Sequence, residues 1–511
     1  MSTGFRIIKN TFFLYIKMGI TVFISLYTTR IILSSLGASD FGIFNIIGGA
    51  IVMLGFLNST MSNASQRFMS YEEGRGNIFS KRKVFNISLV LHFFVSIFTL
   101  LLLLIAMYPL FNGVLTIDPS RIFAAKVVYI SLIISTAITI LNVPYDAVIN
   151  AHEDMLYYSI VGVIESLLRL FIAIICLYSR TDKLIIYGVL MAILPVISFA
   201  IMASYCHAKY EECKIAIAKY YDYQLIKNIV SFSGWNFLTA ISSLLSAQGI
   251  GIVLNHFYGT VLNAAQGIAQ QLNGQLSSFS LNLMKALNPV IVKNAGSGNV
   301  ISMNHIALVG CKYSTYLILL FAVPFMFEMS FILKIWLKEV PEWTQTFCIM
   351  QIIVTVLCQM THSIATSIYA QGNIKQYAIY KSLMNIIPLL LTYLSFLCGG
   401  SPYWLYIPMI LIWAIGGNIV IIHYAHIECD LDIYDYIKTV VFPILYVIIL
   451  MSFMGFLVVT FFDNGFIRLI LTVVGTTIGL FGAMCTFGMT KTEKNNLKDI
   501  ISYFWLKIKS K

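Results

Sequence analysis

The chain has 511 residues, of which 59% are hydrophobic and 11% charged, with a mean hydropathy of +0.85; soluble domains are about a quarter charged, so no soluble core needs this much apolar surface. The formal net charge of +11 invites a nucleic-acid partner, but the Lys and Arg residues form no basic patch with interleaved aromatics, which excludes nucleic acid. The nine cysteines, such as Cys176, Cys206, Cys311 and Cys358, lack the C-x-x-C spacing of a metal or redox centre and read as small apolar packing residues.

Long apolar stretches recur from Thr11 to near Met489, each near the roughly 20 residues that cross about 30 Å of hydrocarbon as a helix. Helices follow because an open sheet would leave backbone groups unpaired in lipid. The predicted spans are 11–36, 41–66, 85–111, 122–149, 157–178, 184–208, 229–255, 260–290, 306–333, 344–369, 377–398, 403–427, 439–462 and 466–489, fourteen in all. The fold class is thus an all-α polytopic membrane protein. The first stretch is too long for a signal-peptide core and lacks an A-x-A site, so it reads as a retained span. With the N-terminus in the cytoplasm, 19 Lys/Arg fall in cytoplasmic segments and five in external ones, namely Arg121, Arg180, Lys183, Lys334 and Lys338. This bias places both termini in the cytoplasm. The basic tail from Lys491 alternates Lys with Ile, Trp and Phe and is expected at the inner membrane surface, against anionic lipids.

Two weak internal matches suggest duplication. The turn Leu36-Gly37-Ala38 resembles Tyr258-Gly259-Thr260, and Asn150-Ala151-His152 resembles Tyr369-Ala370-Gln371, at nearly the same displacement along the chain. The expected domains are a six-helix lobe over 1–208, a linker over 209–228, a second six-helix lobe over 229–427, two extra helices over 428–489 and a basic tail over 490–511. An even number of spans per repeat keeps both lobes in one orientation.

Nine Lys/Arg remain within or at the ends of spans: Lys17, Arg30, Arg67, Lys126, Arg169, Lys285, Lys312, Lys381 and Arg468. Each costs about 2.5–3.5 kcal/mol at the bilayer centre unless it has a partner, a wet cavity or a snorkelling route. Arg67, Lys126, Lys381 and Arg468 lie near interfaces, where snorkelling suffices. Arg169 follows Glu165 by four residues, the spacing of a helix-face ion pair. Polar stripes at helical period mark three spans: Lys17, Thr21, Ser25 and Thr28; Asn45, Ser59, Asn63, Gln66 and Arg67; and Asn263, Gln266, Gln270, Asn273, Ser277, Lys285 and Asn288. Interhelical hydrogen bonding is the plain alternative for each stripe, but three together point to one cationic aqueous cavity between the halves. Lys17, about two turns inside its span, is the first candidate and Lys285 the second, both suited to a phosphate or other anion. The acids within spans, Asp146, Glu165 and Glu328, are the candidates for a coupling ion. There is no Walker loop, no H-x-x-x-H pair and no G-x-S-x-G elbow, so neither enzyme, metal nor cofactor is expected. His152-Glu153-Asp154 reads as a structural or gating turn.

The stretch Thr29-Arg30-Ile31-Ile32-Leu33-Ser34-Ser35-Leu36-Gly37-Ala38-Ser39-Asp40-Phe41-Gly42 resembles the end of span 1 in the Wzx-type polysaccharide-repeat-unit flippases, where an Arg precedes Leu-Gly, polar residues and an aromatic-Gly pair. Pro144-Tyr145 through Ala151-His152-Glu153 is similar to that family's turn after span 4, and the twelve-plus-two span layout extends the likeness over nearly the whole chain. The resemblance implies the multidrug/oligosaccharidyl-lipid/polysaccharide exporter superfamily and alternating access in a bacterial inner membrane. It further implies transfer of an undecaprenyl-pyrophosphate-linked oligosaccharide, such as an O-antigen or capsule unit, with glycosyltransferases and a glycan polymerase as partners. Lys17, Lys285 and Arg67, with Arg30 matching the family motif, would then meet the pyrophosphate, and Asn63, Gln266, Gln270 and Asn273 the sugars. Alternatives are a multidrug or cation antiporter of the same superfamily, disfavoured because span 1 carries Lys17 and no acid, and a membrane-embedded glycan polymerase or ligase, disfavoured by the short external loops.

Overall fold

The structure, a computed structural model, describes residues 3–52, 55–114, 117–337, 339–490 and 493–494. The long helices are α1 (Thr3–Val52), α2 (Gly55–Arg75), α3 (Ile78–Pro109), α4 (Ile122–Ala151), α5 (Met155–Tyr178), α6 (Lys183–Lys209), α7 (Tyr223–Gly296), α8 (Val300–Trp336), α9 (Thr344–Gln359), α10 (His362–Gln371), α11 (Lys375–Leu397), α12 (Pro402–Cys429), α13 (Ile433–Phe461) and α14 (Phe466–Gly488). Among the described residues, eleven helices are long and apolar enough to cross a membrane, or twelve when α9 and α10, bent by 41°, count as one span. The 50-residue α1 and the 74-residue α7 are each interrupted by a non-helical glycine, Gly37 and Gly259. These breaks accommodate the fourteen spans read from the sequence. Among the described residues all regular structure is helical, and the protein is a multi-span membrane protein.

Local chemistry sets the helix starts. Asn77 caps α3 by accepting from Phe79 N at 3.0 Å, Asp182 caps α6 from Leu184 N at 3.1 Å, and Asn299 caps α8 from Ser302 N at 3.0 Å. Each side-chain oxygen takes up a first-turn N–H that the helix itself cannot satisfy.

The chain forms two compact units, residues 9–237 and residues 238–511 with 1–8. Within the first, Ile43, Ile47, Leu103, Val128 and Tyr129 form one buried cluster, and Ile32, Ala173, Cys176, Tyr187 and Leu194 a second that packs α1 against α5 and α6. Cys176 sits in that core as a packing residue. Asp40, in the turn that carries the sequence motif, receives Arg121 at 2.5 and 2.9 Å, and the same guanidinium holds Asp182 at 2.7 Å. The motif's acid therefore ties a turn to the starts of α4 and α6.

Both weakly matched turns fall on special backbone. Gly37 has φ 77° and ψ 168°, and Gly259 has φ 77° and ψ −171°. Glu153 and Gly372, which the alignment of Ala151 with Ala370 pairs, both have positive φ, 57° and 94°. Gly76 and Gly298, paired by the alignment of Gly37 with Gly259, add a third match, φ 71° and 76°, each followed by a capping Asn. Helix bounds repeat in the same registers. The Gly37/Gly259 alignment carries the start of α3 at Ile78 onto that of α8 at Val300, and the start of α4 at Ile122 onto that of α9 at Thr344. The Ala151/Ala370 alignment carries the end of α5 at Tyr178 onto that of α11 at Leu397. The register therefore changes within α4 and its counterpart α9–α10, the second copy being the shorter there. That loss coincides with the bend, which Asn418 of α12 braces by donating to Leu357 O at 2.8 Å and accepting from Thr361 Oγ1 at 2.7 Å.

Candidate functional site

The polar stripe of α1 turns toward α5 and α6. A cavity of about 390 Å³ in the first unit is lined by Thr21, Ser25, Thr28 and Thr29 of α1, Ser166 and Arg169 of α5, and Tyr187 of α6. The hydroxyls fold back on their own helices, Thr28 onto Ile24 O at 2.7 Å, Thr21 onto Met18 O at 3.1 Å and Ser166 onto Gly162 O at 3.0 Å. That satisfies them in an apolar slab while leaving oxygen lone pairs toward the cavity.

Lys17 lies one turn before Thr21. Its Nζ stands 4.0 Å from the centroid of the Tyr158 ring, and its chain passes over Gly162 so closely that a Cβ there would meet Lys17 Cε at 2.2 Å. The ring face substitutes for part of the ammonium's hydration. Lys17 meets Tyr158 and Gly162, and the threonines further along α1 share the cavity with Ser166 and Arg169, so α1 and α5 run in the same direction along one seam. Gly162 and Arg169 are separated by about 10 Å of helix. Two cations and a row of hydroxyls thus share one face of the unit, a composition suited to an extended anion.

Arg169 is legible in the sequence as an intramembrane cation but not as a cavity residue. The expected ion pair with Glu165 does not form: Glu165 instead accepts a close hydrogen bond from Ser198 of α6. A neighbouring helix offers the carboxylate a donor, and Arg169 is left exposed to the cavity.

The other predicted residues distribute as follows. Arg67 stacks over Phe68, Tyr71 and Phe232, with ring centroids 4.5, 4.8 and 5.4 Å from its guanidinium carbon. Arg30 and Asn63 are exposed, and neither lines the cavity. In the second unit, Lys285 is half-buried, Gln266 buried and Gln270 exposed. Asn273 accepts from Thr355 Oγ1 of α9 at 2.5 Å, and Asn288 from Thr366 Oγ1 of α10 at 3.2 Å. Part of that stripe therefore serves interhelical bonding.

Among the acids, Glu328 is fully engaged. It takes Arg468 in a bidentate pair, both contacts 2.9 Å, and Thr472 Oγ1 at 2.9 Å, so the snorkelling expected of Arg468 is replaced by a buried bond from α14 to α8. Lys312 likewise holds Glu493, both contacts 2.7 Å. Lys494 donates to Thr486 O at 2.8 Å, and residues 491–492 and 495–511 of the basic tail lie outside the described residues. Asp146 is half-buried, and its Oδ1 has no hydrogen-bond partner among the described residues.

At the loop end of the first unit, His152 bridges two acids, Nε2 to Glu212 Oε1 at 2.5 Å and Nδ1 to Glu73 Oε1 at 3.5 Å, and stacks on Tyr210 at 4.2 Å. Burial pushes the Glu212 carboxyl up, but His152 and a backbone N–H outweigh it and hold the carboxyl below its ordinary range. Asp154 behaves alike: burial raises it, and Lys209 at 2.6 Å, Tyr205 and Tyr210 bring it below. Glu73, His152 and Glu212 lie close enough to hold a metal ion, yet the two carboxylates bind opposite nitrogens of one ring, the geometry of a bridge rather than a chelate. The turn is a structural brace.

No protein-family model matches the chain, and no curated protein sequence matches it. Solved structures do. One described as an outward-facing conformation of a multidrug resistance MATE family transporter of the MOP superfamily aligns with TM-score 0.67 at 14% identity, covering 83% of this chain and 96% of that one. A MATE structure in a bent conformation aligns with TM-score 0.69 at 15% identity, covering 82% and 93%. A MOP superfamily transporter from Pyrococcus furiosus, described as having a binding pocket of reversed polarity that suggests a different function, aligns with TM-score 0.64 at 16% identity, covering 83% and 96%. At these identities the likeness is one of fold: the chain is folded as the MATE transporters of the MOP superfamily are.

Proposed function

We propose that this protein is a flippase that carries an undecaprenyl-pyrophosphate-linked oligosaccharide across the bacterial inner membrane by alternating access, with both termini cytoplasmic. The observation that carries the reading is the α1/α5 seam, where Arg169 lines a hydroxyl-rich cavity of about 390 Å³ and Lys17 lies one turn before the first of its threonines. The cations take the diphosphate, the hydroxyls take sugar hydroxyls, and the prenyl chain stays in the bilayer. Lys285 and Arg67 remain further contacts of the same substrate in this reading. The pocket of reversed polarity described for the Pyrococcus furiosus protein is a precedent for a change of pocket charge on this fold.

The test is export and binding by the Lys17→Met/Arg169→Met variant. It is expected to reach the membrane in normal amount, to accumulate lipid-linked repeat units inside the cell and to display no surface glycan. Wild-type levels of surface glycan would refute the assignment.

A cation or drug antiporter of the same fold is the second reading, and the unpartnered Oδ1 of Asp146 favours it, because a carboxylate oxygen free of partners can take up a proton or sodium ion. Under that reading Asp146→Asn abolishes drug efflux and glycan export is untouched.

A further inference from the structure

The internal repeat places a second lysine at the helix position that Lys17 packs against. In the register that pairs Ala151 with Ala370, Gly162, beneath the Lys17 chain, corresponds to Lys381 of α11, and Ser198 of α6 corresponds to Gly417 of α12. Lys381 Nζ lies 2.5 Å from where a Cβ on Gly417 would stand, so the ammonium rests on α12 in a gap that only glycine leaves open. In the first unit the cation comes from α1 and the small residue from α5; in the second, the α5 counterpart supplies the cation itself. Glu165, the nearby acid of the first unit, corresponds to Met384, so the second unit has no carboxylate at that position.

Two backbone irregularities meet at Lys381. Its ammonium rests on Gly417, and the next residue, Asn418, bonds Leu357 O and Thr361 Oγ1 at the 41° break between α9 and α10. α10 begins there with no side-chain cap, so the positive end of its dipole lies at the break. On the other side, a π-helical turn over Met409–Gly416 ends at Gly417. Breaks and wide turns inside spans are frequent at functional sites, because lipid cannot satisfy loosened backbone. Among the described residues no acid pairs with Lys381, so an internal ion pair does not account for it.

We propose that Lys381, at the α9/α10 break, is the centre of a second anion-binding site, within residues 238–511, that takes a phosphate or diphosphate group. This rests on the reading above that the substrate is a prenyl-linked diphosphate.

The experiment titrates farnesyl diphosphate and, separately, inorganic pyrophosphate into the purified full-length protein in detergent, comparing wild type with Lys381→Met, Lys381→Arg, Gly417→Ala and Lys17→Met. Loss of one charged hydrogen-bond partner weakens diphosphate binding by about tenfold or more, which is expected for Lys381→Met and, through displacement of the ammonium, for Gly417→Ala, while Lys381→Arg stays near wild type. Gly417→Ala and Lys381→Arg keep the test decisive should Lys381→Met fail to fold. Wild-type affinity in both Lys381→Met and Gly417→Ala, alongside a loss in Lys17→Met, overturns this site alone. Failure of the wild type to bind either probe overturns the substrate reading and this site together. Binding of pyrophosphate without farnesyl diphosphate, lost in Lys381→Met and Gly417→Ala, upholds the site and makes its ligand a free anion.

Discussion

Gly162 decides where the Lys17 ammonium sits, because the lysine chain occupies the volume a methyl group would need. Gly162→Ala should leave the fold in place, since the displaced atoms are the far end of a flexible chain, with a stability change within about 1 kcal/mol. The ammonium would leave the Tyr158 ring, and diphosphate affinity should fall by about tenfold. A melting curve beside a binding titration separates the two effects, and unchanged affinity would show that Lys17 does not act from this position. At this scale the sequence exposes charge and period. Lys17 and the threonines facing its seam follow from a 3.6-residue stripe, but Arg169 does not, because Glu165 four residues earlier offers a partner that Ser198 takes instead.

The helices differ in what holds them. α14 is fixed to α8 by Arg468 and Thr472 on Glu328, a carboxylate 1% exposed. Removing one partner of a buried pair leaves an uncompensated charge, so Glu328→Ala should cost about 3–5 kcal/mol, whereas replacing both partners by apolar groups, Glu328→Met with Arg468→Met, should recover most of it. Unfolding in detergent, followed for the single and double variants, gives the comparison; equal loss in both would mean that packing, not charge, holds α14. Sequence alone cannot pair two residues so far apart along the chain, so Glu328 reads there as a coupling site and Arg468 as a snorkelling cation. The caps, by contrast, are local: Asn77, Asp182 and Asn299 act on N–H groups in the first turn that follows them.

For the whole molecule, the repeat is a matter of backbone as much as of side chains. Gly37 and Gly259 adopt φ 77° with extended ψ, a conformation essentially confined to glycine. Gly37→Ala and Gly259→Ala should each destabilise by about 1–3 kcal/mol and to a similar extent, which chemical unfolding would measure. A loss at only one of them would show that the two turns are not mechanically equivalent. The composition, apolar stretches and charge bias of the sequence by themselves determined a helical membrane protein of about fourteen spans, because the hydrocarbon layer permits little else to a chain this apolar. They also marked the repeated turns, where backbone conformation demands particular residues locally. Only the tertiary structure decided which polar groups satisfy one another and which face a cavity. A hydroxyl, carboxylate or ammonium at a given helical angle looks the same in the sequence whether a neighbouring helix brings it a partner, as for Asn273 and Glu328, or leaves it open, as for Arg169.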